Sequence, residues 1–119
     1  MSKPAFTVKA FGIYAIILGL ALITVPNLLL GLFGLPSTSE VWIRVVGVVV
    51  VNIGVGYWCA ARSESRIFFR GTLYTRWFVL IAFVGFWLLG YVSPVLILFG
   101  ILDAAGALWT QRALSAEEG

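Results

Sequence analysis

Histidine is absent from this sequence of 119 residues. Within the chain, that removes a His-based metal site, a Ser–His triad and a His proton relay. Cysteine occurs once, at Cys59, so no intrachain disulfide can form. Charge is scarce: Asp, Glu, Lys and Arg make up 11% of the residues, where a soluble domain carries about a quarter. Acids are rarest. Outside the C-terminal tail and the Arg-rich link around Glu64, only Glu40 and Asp103 remain, so a two-carboxylate site would need both. There is no phosphate-cradling glycine loop after a strand, no CxxC, no paired-His motif and no nucleophile elbow. No catalytic residue and no metal ligand set is nominated, and catalysis by the chain alone is the least expected activity.

What is present is apolar. Hydrophobic residues make up 61% of the chain, and the mean hydropathy is +1.06. A soluble domain this small has too little interior to hide so much apolar surface, whereas lipid removes the need to hide it. A spanning helix takes about 20 residues, so the length suits four spans in one integral membrane domain. The runs are residues 8–25, 41–61, 72–92 and 94–114, with Pro26, Pro36 and Pro94 at the breaks. The expected fold is all-α: a membrane-spanning antiparallel four-helix bundle. A short interfacial or re-entrant segment, residues 27–35, follows the first helix, because that stretch is apolar but too short to cross.

The net charge of +3 reads as membrane topology, not as a nucleic-acid surface. Lys3 and Lys9 precede the first span, Arg62, Arg66 and Arg70 lie between the second and third, and Arg112 follows the core of the fourth. The other two links hold no Lys or Arg. The positive-inside rule then predicts both termini in the cytoplasm, in a plasma membrane such as the bacterial inner membrane. Tyr57, Trp58, Tyr74, Trp77 and Trp109 fall near the cytoplasmic ends, and Trp42, Trp87 and Tyr91 near the opposite ends, as interfacial anchors do. The first run is expected to be retained and not cleaved as a signal peptide, since no A-x-A-like site follows it. The tail 115–119 is expected to fray.

Asp103 is the residue most suggestive of function. A carboxylate at bilayer depth is costly and must be paired, protonated or wetted. Gly100, Asp103, Ala107 and Thr110 share a helical stripe, with Gly106 beside it, so Asp103 is expected to face other helices. The preferred polar core is Asp103 with Arg44 and Asn52; Arg76, entering from the inner end of the third span, is the second choice. Glu40 precedes Arg44 by four residues and competes for it. Tyr14 lies within the first span, where its hydroxyl needs a partner. Gly12 and Gly19 on the first span, and Gly47 and Gly54 on the second, read as helix-packing residues, as do Gly100 and Gly106 on the fourth.

Several of these features resemble the DoxX-like group of small four-helix membrane proteins. They are Arg44-x-x-Gly47 with Gly54 and Tyr57-x-x-Ala60-Ala61-Arg62, the Pro26…Leu32-Phe33-Gly34 loop before them, and Arg76 opening the third span. The resemblance implies a four-helix membrane protein associated with redox enzymes or quinone-linked complexes. With one clear intramembrane acid, the chain departs from the acidic cavities of sterol-isomerase-type bundles.

The first functional expectation is therefore a non-catalytic accessory or assembly subunit, with the lipid bilayer and other membrane subunits or further copies of itself as partners. The second is a binder or carrier of an apolar small molecule (quinone, sterol or lipid) beneath Trp42, with Arg44 and Asp103 at the base of the cavity. The third is proton-coupled transport by oligomers through Asp103. No cofactor is predicted, although the second expectation accommodates a bound lipid or quinone. No nucleic-acid partner is expected.

Overall fold

The computed structural model describes residues 2–92 and 94–118. Among these the regular structure is entirely helical: α1 Lys3–Thr24, α2 Pro26–Leu32, α3 Trp42–Arg62, α4 Arg66–Leu88 and α5 Leu96–Glu118. Three of them, α1, α3 and α4, are long and apolar enough to cross a membrane. α5 equals α4 in length, at 23 residues, but carries Asp103, Gln111 and Arg112. The short apolar segment after the first run forms α2, whose turns pair main-chain groups that lipid could not.

Helix ends differ from apolar-run ends for a physical reason. Hydropathy marks where hydrocarbon suits the side chains, whereas a helix continues until its backbone bonding is interrupted. α1 and α4 therefore begin in polar flanks, at Lys3 and Arg66, ahead of the expected Val8 and Thr72. α4 stops at Leu88, short of Val92, because Gly90 takes a left-handed φ of 80°. The Gly90 N–H then bonds Trp87 O at 3.0 Å, and the Tyr91 N–H bonds Phe86 O at 2.9 Å. This pair of bonds is the Schellman ending, which satisfies carbonyls a helix otherwise leaves open.

The same device closes α2 and α3. Gly34, at φ 70°, bonds Gly31 O at 3.1 Å, and Leu35 bonds Leu30 O at 2.9 Å. After α3 the left-handed residue is Glu64, at φ 55°, with Ser65 bonding Ala60 O at 3.1 Å. Ser65 also caps α4 by accepting from the Phe68 N–H. α1 ends differently. Pro26 follows within two residues, the Val25 N–H bonds Ala21 O at 2.8 Å, and the Arg44 guanidinium donates to Ile23 O. A cation on the last carbonyls suits the negative end of the helix dipole.

The chain divides into two compact units, one of residues Lys9–Cys59 and one of Met1–Val8 with Ala60–Gly119. In the first unit the fully buried residues are Gly12, Gly19, Pro26, Gly47 and Gly54. Gly12 faces Gly54 and Gly19 faces Gly47, so α1 and α3 run antiparallel. A Cβ on Gly12 would lie 2.8 Å from Gly54 O, and one on Gly54 would lie 2.6 Å from Gly12 O. A Cβ on Gly19 would lie 2.7 Å from Gly47 O, and one on Gly47 2.8 Å from Gly19 O. The helices therefore meet main chain to main chain, with Cα hydrogens directed at facing carbonyls. The seven-residue interval on each helix keeps the seam in line when two helices wrap with a left-handed twist.

Ile16, Ile23, Val51 and Tyr57 flank the seam beside the glycines, whereas Ile17, Leu20, Trp42, Val46 and Val49 are all exposed. Gly56 has a different role from its neighbours. A Cβ there would meet nothing within 4 Å among the described residues.

These distances separate the two kinds of glycine. Gly54→Ala should lower the melting temperature in detergent, at a cost of about 1–3 kcal/mol for overpacking. Gly85→Ala, where a Cβ would meet nothing within 4 Å, should leave it unchanged or raise it slightly, since alanine favours helix by about 1 kcal/mol. Equal melting temperatures for both variants and the parent would contradict the seam.

Candidate functional site

The second unit holds the polar interior. α4 buries Phe69, Thr72 and Arg76, which recur at intervals of three and four residues and so share one face. α5 buries Gly100, Ala104, Gly106, Ala107, Thr110 and Leu114. A Cβ on Gly100 would lie 2.9 Å from Leu80 Cα. Farther along, Thr110 meets Arg76. The order of these contacts makes α4 and α5 antiparallel, and it sets Asp103 opposite the turn that carries Arg76.

Arg76 is only 2% exposed. Its Nε donates to Thr72 O at 3.2 Å, and its Nη2 donates to Thr72 Oγ1 at 2.6 Å and to Thr110 Oγ1 at 3.2 Å. Thr72 Oγ1 donates in turn to Phe69 O at 2.7 Å. Thr110 and Thr7 lie 2.7 Å apart through their hydroxyls, and Thr7 donates to Pro4 O at 2.7 Å. A hydroxyl has one proton. Since that of Thr7 goes to Pro4, Thr110 is the donor to Thr7 and the acceptor from Arg76. The bonds run in one direction, from guanidinium to Thr110 to Thr7 to the Pro4 carbonyl.

Asp103 is half-buried two turns before Thr110 on α5, and the charge acting on it is that of Arg76. Arg76 is thus the predicted site residue that shares a unit and an electrostatic interaction with Asp103. Arg44 belongs to the Lys9–Cys59 unit, is exposed, and donates to Ile23 O. Glu40 is exposed and precedes α3, so helical i,i+4 geometry with Arg44 does not apply to it; its N–H bonds Thr38 Oγ1 at 3.1 Å. Asn52 is exposed on α3, and its side-chain amide has no hydrogen bond among the described residues. Tyr14 is half-buried, edge-on to Phe11 with ring centroids 5.6 Å apart.

A second cluster joins the ends of this unit. Arg66 pairs with Glu117 at 2.8 Å and with Glu64 at 3.2 Å. The Ser2 N–H donates to Glu64 Oε2 at 3.2 Å. The tail expected to fray is helical through Glu118, because Arg66 at the start of α4 grips Glu117 with three donor contacts. Hydrogen bonding from Ser2, with Arg66 beside it, holds the Glu64 carboxyl below its ordinary value of 4.5. Thr7, Thr72, Ser2 and Glu117 were not singled out from the sequence. The one available signal was Thr72, a turn ahead of an arginine within an apolar run.

Each threonine proton in the network is bound to a carbonyl or to another hydroxyl, so none is an activated nucleophile. The arrangement holds helices in register, and the charge of Arg76 acts on Asp103 in the same unit. No family model, no curated protein and no solved structure matches the chain.

Two outcomes test this geometry. Thr110→Val and Arg76→Met should each cost about 1 kcal/mol of stability, and the double variant should cost less than their sum. Strict additivity would show that the two residues do not interact. The Glu64 contact should depend on pH. Because its folded pKa is lowered, its contribution is complete above pH 4.5 and is lost as the pH falls from there through the folded value. Exchange protection of the Ser2 amide should follow that loss, and Glu64→Gln should remove the dependence.

Proposed function

We propose that this protein is a non-catalytic accessory or assembly subunit of a membrane complex. In this reading α1, α3, α4 and α5 all cross the bilayer, α2 lies at the outer interface, and both termini are cytoplasmic. Two features support the topology. Lys3, Lys9, Arg62, Arg66, Arg70 and Arg112 all fall at one set of helix ends. The bonds Ser2–Glu64, Thr7–Thr110 and Arg66–Glu117 join the N-terminal turn, the α3–α4 link and the end of α5.

The observation that carries the function is where small and polar residues lie open. A Cβ added at Gly56, Gly71 or Gly85 would meet nothing within 4 Å, and the amide of Asn52 is exposed on α3. In lipid the useful place for such residues is a contact with another helix, because small side chains admit close approach and amides bond across it. The resemblance to the DoxX-like group agrees, since members are associated with redox enzymes or quinone-linked complexes.

The intact complex, released gently from native membrane and weighed by mass spectrometry, should contain this chain in fixed stoichiometry with a larger membrane protein. A lone monomer throughout would reject the accessory role.

A further inference from the structure

We propose that the exposed stripe of α3 centred on Asn52 is the contact with a second copy of this chain, in a parallel dimer about a twofold axis along the membrane normal. The inference rests on the membrane reading above and names the partner at one of its open faces.

Asn52 lies ten residues from each end of α3, Trp42–Arg62, and so at its deepest point in a bilayer. Its amide offers two donors and an acceptor, is exposed, and has no hydrogen bond among the described residues. Hydrocarbon supplies no partner, so an amide there is unfavourable until another protein group meets it. Around it, Val45, Val49, Asn52, Gly56 and Cys59 follow one another at intervals of four, three, four and three. That is the spacing of a coiled-coil seam. Gly47 and Gly54, which hold α1, point nearly the opposite way, so the stripe is not occupied by the contact that builds the unit.

Charge complementarity selects the occupant. The amide carries a partial positive charge on its nitrogen end and a partial negative charge on its oxygen. Two amides related by a twofold axis present each end to its complement, so Asn52 is its own partner. The stripe holds no carboxylate, ammonium or guanidinium group that would set two copies repelling each other. All copies of a membrane protein share one orientation, so the same helix from two copies meets in parallel. A polar residue at a single seam position specifies register and the number of strands at a cost in stability, and the twofold pairing of the amides sets that number at two. Gly56, with nothing within 4 Å of its Cβ position, lets the backbones converge one turn below.

This register places Cys59, the one cysteine of the chain, opposite Cys59 of the second copy. A disulfide needs Cα atoms roughly 4.4–6.8 Å apart, which a seam position of a parallel pair provides. The full-length protein in lipid vesicles at high dilution, treated with copper phenanthroline and oxygen to oxidise paired thiols, should form a covalent dimer. Cys59→Ser should abolish it. Asn52→Val should reduce the cross-linked fraction at least tenfold, and Asn52→Gln, which keeps the amide, should retain most of it. Single-molecule bleaching of labelled protein should give two steps for the parent and one for Asn52→Val, with unchanged helicity verifying that the variant folds.

One-step bleaching of the parent, or equal cross-linking of parent and Asn52→Val, would overturn the dimer. So would Cys59 joining a different protein, although that result would leave the accessory reading intact. A two-step parent found with no larger partner in native membrane would reject the accessory reading and keep the dimer.

Discussion

Gly12 against Gly54 and Gly19 against Gly47 bring two helix backbones to a separation at which no Cβ fits. In water, helices join by hiding large apolar side chains, because that surface is unfavourable to hydrate. A helix bathed in hydrocarbon gains nothing by that exchange. What remains is dispersion between closely fitted surfaces and the bonding of polar groups. The Lys9–Cys59 unit follows this rule to the point where its fully buried residues are four glycines and Pro26. Large side chains such as Ile17, Leu20, Trp42, Val46 and Val49 are left to face outward.

The other unit solves the same problem with hydroxyls and a cation. Thr72, Thr110 and Thr7 are small enough to lie between helices and polar enough to bond there. Their hydroxyls give the Arg76 guanidinium acceptors that do not neutralise it. The positive charge of this buried guanidinium acts on Asp103. The bonds from Arg76 to Thr72 and Thr110 tie α4 to α5. At the other end of the same unit, Arg66 draws the start of α4 and the close of α5 together through Glu117.

The all-helical character was legible in the sequence because apolar runs of spanning length leave few alternatives. The glycine seam was legible too: Gly12, Gly19, Gly47 and Gly54 stand at helical spacing, and small residues in such positions mean close approach. Helical spacing sets Gly56 with Asn52 on nearly the opposite side of α3 from Gly47 and Gly54, but spacing shows only that a face is small, not whether anything covers it. The partner of Asp103 was also beyond reach. Arg44, Asn52 and Arg76 all lie within plausible depth of it, and depth alone does not fix the rotation of a helix about its axis. In the structure Arg44 turns to the end of α1, a carbonyl acceptor that no side-chain pattern reveals. Glu117 was misjudged for a related reason. Its residue type and position suggested a loose tail, and its anchor lies 51 residues away in the chain.

A seam made of main chain has a consequence for how such a protein changes over generations. Because α1 and α3 meet through carbonyls and Cα hydrogens, flanked by Ile16, Ile23 and Val51, the identity of side chains on the outer faces carries little information about the pairing. Isoleucine, leucine, valine and phenylalanine can replace one another along the outer faces with small effect, while four positions stay closed to anything larger than hydrogen. Descendants would drift far apart in overall similarity and still hold that spacing, so ancestry in this fold is written in the intervals between its smallest residues.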